Sequence, residues 1–128
     1  MKKILLVDDD EFYRNVARDY LQLKYEIKSA KSGQEALNFL AAGFIPDLIL
    51  LDILMPEMDG WEAFNLIKGI SLLSSVPIVF FTSVQDELEK NHASDLGAAD
   101  YITKPFDEKS FVEKVDSIIE KHESACLA

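Results

Sequence analysis

The chain alternates between continuous apolar runs and segments with a helical period. Runs near residues 3–7, 25–29, 47–52, 76–82 and 100–103 read as strands. Most are apolar throughout, as parallel strands covered on both faces are. Between them, Phe12, Val16 and Tyr20 form one helical stripe, followed by Ala36, Leu37 and Leu40, then Ala63, Phe64 and Ile67, and last Phe111, Val115, Ile118 and Ile119. Strands alternating with helices predict a three-layer, doubly wound α/β domain with a five-stranded parallel sheet and right-handed crossovers. The second strand is short and carries charges at alternate positions, the character of an edge, which leaves the first or third strand central. The helix predicted within Glu87–Leu96 offers only Leu88, Ala93 and Leu96 to a core, so it is expected to be the least firmly anchored. Gly33, Gly43, Gly60 and Gly97 fall beside helix ends, where turns need them. One domain over residues 1–122 is expected, with residues 123–128 as a frayed tail.

Composition narrows the class. A hydrophobic content of 48% in 128 residues is enough to cover one sheet on both faces. Lys plus Arg total 13 against 23 Asp plus Glu, a formal charge of -10, which opposes direct binding to nucleic acid or to anionic membranes. Cys126 is the single cysteine, so neither an intramolecular disulfide nor a multi-cysteine metal site is available. After the basic start Met1-Lys2-Lys3 the apolar stretch is too short for a signal-peptide core or a membrane span. A soluble, cytoplasmic protein is expected.

The candidate chemistry lies where strands stop. Ile4-Leu5-Leu6-Val7 ends in Asp8-Asp9-Asp10, Leu48-Ile49-Leu50-Leu51 in Asp52, Val79-Phe80-Phe81 in Thr82-Ser83, and Tyr101-Ile102-Thr103 in Lys104-Pro105. Open parallel sheets bind ligands beyond these carboxyl ends. Carboxylates gathered in one crevice must be protonated, solvated or bound to a cation. Hard oxygen donors with no histidine or cysteine nearby suit Mg²⁺ or Mn²⁺ rather than zinc. Lys104 and a hydroxyl are donors for phosphate oxygens, and the set resembles a phosphoryl-transfer site in which an Asp is the nucleophile. Taken singly, Asp8 to Asp10 also read as a helix cap, Asp52 as a loop carboxylate, Thr82 as a cap and Lys104 as a solvated lysine. Their alignment on one edge favours a site, with Asp10 remaining a helix-start residue.

These residues carry a family resemblance. Ile4-Leu5-Leu6-Val7-Asp8-Asp9, Asp52-Ile53-Leu54-Met55-Pro56-Glu57-Met58-Asp59-Gly60, Thr82-Ser83 and Gly97-Ala98-Ala99-Asp100-Tyr101-Ile102-Thr103-Lys104-Pro105-Phe106 together make the chain resemble a response-regulator receiver domain. The resemblance covers nearly the whole chain and implies a flavodoxin-like strand order 2-1-3-4-5. It also implies that Asp52 is the phosphoacceptor and that Asp8, Asp9, Asp52 and the Leu54 carbonyl hold the metal. Lys104 and Thr82 would bind phosphoryl oxygens, Tyr101 would be the aromatic switch, and the Lys104-Pro105 bond would be cis. Leu54 and Val84 are apolar where some relatives carry polar side chains, so both are expected to slow hydrolysis of the acyl phosphate. The implied partners are a histidine kinase or histidine phosphotransfer protein as donor and a downstream effector protein. A stand-alone receiver, catalysing only its own modification, is expected.

Two rivals remain. Asp8-Asp9-Asp10 resembles the nucleophile and acid pair of haloacid-dehalogenase-type phosphatases, although that reading leaves Asp52 without a role. A phosphorylation-independent interaction module is the other, although such modules usually lack a key residue and here none is missing.

Overall fold

A computed structural model describes residues 1–127, with side chains through residue 125. Its elements run β1 (Lys3–Val7), α1 (Glu11–Leu21), β2 (Glu26–Ala30), α2 (Gly33–Ala41), β3 (Leu48–Leu51), α3 (Gly60–Lys68), a short 3-10 turn (Ser71–Leu73), β4 (Ile78–Thr82), α4 (Glu87–Leu96), β5 (Asp100–Thr103) and α5 (Glu108–Leu127). All strand pairs are parallel, in the order β2-β1-β3-β4-β5. β2 is an edge and β3 is central, as the charge pattern and the family resemblance require.

Alternation along the central strands divides the core into two layers. Leu5, Val7, Ile49, Leu51, Ile78 and Phe80 face α2, α3 and α4, where Ala36, Leu40, Ala63, Phe64, Ile67 and Ala93 meet them. Ile4, Leu6, Leu48, Leu50, Val79, Phe81 and Ile102 face α1 and α5 through Ala17, Leu21, Phe111, Val115 and Ile119. Strands buried on both sides cannot tolerate a polar residue along their length. The polar side chains therefore come where the strands leave the sheet.

Helix starts follow local chemistry. Asp10, Ser32, Asp59 and Asp86 are N-caps, each accepting a backbone N–H from the first turn of its helix. Gly97 ends α4 in the left-handed conformation, at φ 97°. α4 buries only Ala93, while Leu88 is 75% exposed and Leu96 37%. The helix is thus held by fewer apolar contacts than its sequence suggests.

One expectation is corrected. α5 continues through Leu127 in place of fraying from residue 123, with no glycine or proline within Glu108–Leu127 to stop it, and residue 128 of the expected tail lies outside the described residues. Glu123 within that extension lies 3.5 Å from the Lys2 ammonium. Among the described residues, no helix is long and apolar enough to cross a membrane.

Candidate functional site

β1 and β3 are neighbours in register, with Val7 opposite Leu51, so the residues that follow them emerge side by side. The Asp52 N–H donates to the Val7 carbonyl at 2.9 Å and extends the pairing by one residue. Asp8 is fully buried and Asp52 nearly so, while Asp9 is exposed. One carboxylate oxygen from each lies within 4.8 Å of the others. Asp10 turns away from this group, and its carboxylate accepts the Phe12 N–H at 2.9 Å.

Lys104 arrives from β5 through a cis bond to Pro105. Its ammonium lies 2.5 Å from Asp8 Oδ2 and 3.6 Å from Asp52 Oδ2, and the side chain is 5% exposed. Burial pushes the Asp8 carboxyl up to about 6, even though the Lys104 hydrogen bond and the Asp10 N–H both draw it down. The carboxylate is thus sustained mainly by the cation beside it. Asp52 Oδ1 is buried and has no hydrogen-bond partner among the described residues. An unsatisfied buried carboxylate oxygen facing two more carboxylates is what a divalent cation with hard oxygen ligands requires. The residues present fit Mg²⁺ or Mn²⁺.

Thr82 ends β4 fully buried, and its hydroxyl oxygen accepts the Val84 N–H at 3.3 Å. The Tyr101 hydroxyl donates to the carbonyl of that same Val84 at 2.6 Å. Val84 therefore links the two sequence-predicted switch residues through its backbone. Tyr101 is half-buried beside Phe80. Burial, reinforced by Glu89, Asp86 and Asp52, pushes its phenol up to about 12, so it stays a proton donor. Leu54 is 59% exposed and lines, with Val84, Trp61 and Asp86, a groove of about 390 Å³ next to the carboxylates.

Three supporting features escape a reading of strand ends. Gly60 opens α3 against the backbone of the phosphoacceptor candidate, and its N–H donates to the Ile53 carbonyl at 2.8 Å. A Cβ there would lie 2.3 Å from the Asp52 carbonyl oxygen, which gives the spacing from Asp52 to Gly60 a steric reason. Arg14 on α1 donates to the Asp8 carbonyl at 2.7 Å. Tyr13 and Phe81 lay their rings over the Lys104 ammonium.

The molecule is thus a doubly wound α/β module with three carboxylates, a buried lysine and a buried hydroxyl gathered at the carboxyl edge of its sheet. The response regulator receiver domain model matches residues 4–116, and the chain belongs to that family. The family assignment sets aside the phosphatase alternative. The chemotaxis protein CheY of Halobacterium salinarum is 38% identical over 119 residues, covering 92% of this chain and 97% of the relative. PhoP of Bacillus subtilis, an alkaline phosphatase synthesis transcriptional regulatory protein, is 36% identical over 125 residues, or 97% of this chain. The chain spans 51% of the length of PhoP, and about half that of several other curated relatives. Among solved structures, chemotaxis protein CheY4 of Vibrio cholerae superposes with a TM-score of 0.85 at 29% identity, covering 92% of this chain and 98% of the other. A CheY-like receiver from Methanospirillum hungatei gives 0.86 at 28% identity, with 98% of each chain covered.

Proposed function

We propose that the chain is a phosphorylation-activated switch in a two-component phosphorelay, with Asp52 as the phosphoacceptor. The observation that carries this reading is the Lys104 ammonium set between Asp8 and Asp52, beside a buried Asp52 oxygen that nothing satisfies. An Asp52 carboxylate oxygen forms the new O–P bond as the P–N bond of a donor phosphohistidine breaks, and the imidazole nitrogen departs with that electron pair. A divalent cation held by Asp8, Asp9, Asp52 and the Leu54 carbonyl would supply charge neutralisation at the phosphoryl oxygens. Lys104 binds one of those oxygens and Thr82 donates its hydroxyl to another.

The switch follows from local electrostatics. Phosphorylation replaces one carboxylate charge with about -1.5 to -2 and three acceptor oxygens. Drawing the Thr82 hydroxyl toward them takes it from the Val84 N–H, and Tyr101 holds the other side of Val84. The β4–α4 segment and Tyr101 therefore move together, reshaping the face of α4, β5 and α5. A coupling of about 1–3 kcal/mol is enough to change the affinity of an effector protein usefully. Phosphate is donated by a histidine kinase or a histidine phosphotransfer protein. Leu54 and Val84 keep an attacking water unoriented and prolong the acyl phosphate.

Incubation with Mg²⁺ and acetyl phosphate, followed by intact mass measurement, tests the reading. The native protein gains one phosphoryl mass and Asp52→Asn gains none. Equal labelling of both overturns the assignment, and no labelling of either favours an interaction module that works without phosphate.

A further inference from the structure

The Lys104 ammonium has neighbours that neither the metal nor the phosphoryl group accounts for. Its nitrogen lies 4.5 Å from the centre of the Tyr13 ring and 4.8 Å from that of Phe81. Tyr13 meets Phe81 edge-to-face at 6.2 Å, and Phe106 packs on both, at 6.0 Å from Tyr13 and 5.2 Å from Phe81. Phe81 is fully buried and Tyr13 half-buried on the first turns of α1. Among the described residues, two ring faces thus join Asp8 and Asp52 around the cation.

We infer that Tyr13 is a positioning residue for phosphoryl transfer, holding the Lys104 ammonium by a cation–π contact within reach of Asp52. The inference rests on the reading that Lys104 binds phosphoryl oxygens. A ring face attracts a cation through its quadrupole, yet it offers no oxygen to take up the N–H donors. Carboxylates alone would not do this. Asp8 also belongs to the metal-binding group, so its oxygens are shared between a divalent cation and Lys104. When they turn to the metal, the buried ammonium keeps only Asp52 at 3.6 Å, itself a member of that group, and is drawn toward water. The aromatic faces hold it desolvated and in place, with its donors left for the incoming phosphoryl oxygens. Phe81 contributes from the core, but it is bound up with packing. Tyr13 is half-buried, so it can be changed with less disturbance of the core than Phe81.

Three substitutions, two of them also combined, and one spectrum test this. Tyr13→Leu keeps an apolar side chain but loses the ring. It is expected to slow Mg²⁺-dependent labelling of Asp52 by acetyl phosphate about 3- to 30-fold, while Tyr13→Phe restores the rate. In a Lys104→Met background the same Tyr13→Leu change is expected to add nothing, as an effect routed through Lys104 requires. In the native spectrum the Lys104 ε-methylene protons are shifted upfield by the rings, retained so in Tyr13→Phe and returned to ordinary values in Tyr13→Leu. Native-rate labelling by Tyr13→Leu, an equal loss in the Lys104→Met background, or unshifted ε-methylene protons in the native chain each overturn the proposal. Failure of the native chain to label would instead overturn the phosphoacceptor reading, and the spectrum still decides where Lys104 is held.

Discussion

The Tyr101 hydroxyl donates to the Val84 carbonyl across 2.6 Å, which ties β5 to the segment leaving β4. Tyr101→Phe keeps the ring against Phe80 and removes only that bond. A net loss of about 1 kcal/mol is expected, confined to this region. Amide hydrogen exchange checks it: the backbone of Val84 and the start of α4 should exchange faster while β1 is unchanged. Unaltered exchange at Val84 would mean the bond does not hold the segment.

Gly60 faces backbone atoms that cannot yield, the Asp52 carbonyl oxygen at 2.3 Å and Ile53 Cα at 2.7 Å from a Cβ added there. Gly60→Ala is expected to cost about 2–3 kcal/mol, as overpacking against fixed atoms does. It should also lower the rate of Asp52 labelling, because the displaced backbone carries the acceptor. Urea unfolding and intact mass measure the two effects.

Leu54 and Val84 flank the groove beside the carboxylates. The double variant Leu54→Asn, Val84→Glu is expected to shorten the lifetime of phospho-Asp52 about tenfold, the equivalent of one hydrogen bond to an attacking water. Loss of label after donor removal gives the rate directly. An unchanged rate sinks the tuning role of both positions.

Asp8 carries a pH dependence whose sign is fixed by burial. Its folded-state carboxyl lies near 6, above the ordinary 3.8, so its contribution to stability is complete below about pH 4 and is lost as pH rises through 6. In the absence of divalent cations, the native chain should lose on the order of 2 kcal/mol relative to Asp8→Asn between pH 4 and pH 7. Denaturant curves on the two proteins at each pH provide the comparison. Parallel stability profiles would show that Asp8 titrates as an ordinary carboxylate.

Much of the architecture is legible in the sequence because the runs 4–7, 48–51 and 78–81 are apolar throughout and stop at polar residues. The five catalytic candidates, Asp8, Asp9, Asp52, Thr82 and Lys104, are visible for the same reason, since each is where an apolar run ends. The strand order is not written in that pattern and came from the family resemblance. Other features depend on contacts between residues far apart in the chain, which periodicity does not carry. Tyr13 lies outside the stripe expected for α1, and its place shows only when β5 brings Lys104 against its ring. Leu88 reads as an anchor for α4 but is exposed, because helical period gives a face without saying how closely that face approaches the sheet. Residues 123–128 are expected as a tail, whereas α5 runs on through Leu127 with no glycine or proline in its way.

Ala93 is the one residue α4 buries, with His92 set edge-on to Trp61 beside it, whereas α3 buries Ala63, Phe64 and Ile67. Lifting α3 would expose two large side chains at a cost of roughly 4 kcal/mol, more than one phosphoryl group can be expected to supply. Lifting α4 asks for less than 1 kcal/mol of apolar exposure. In the proposed switch the molecule resists least at α4, so a charge added at the carboxyl edge of the sheet would be read out at the helix with the shallowest footing.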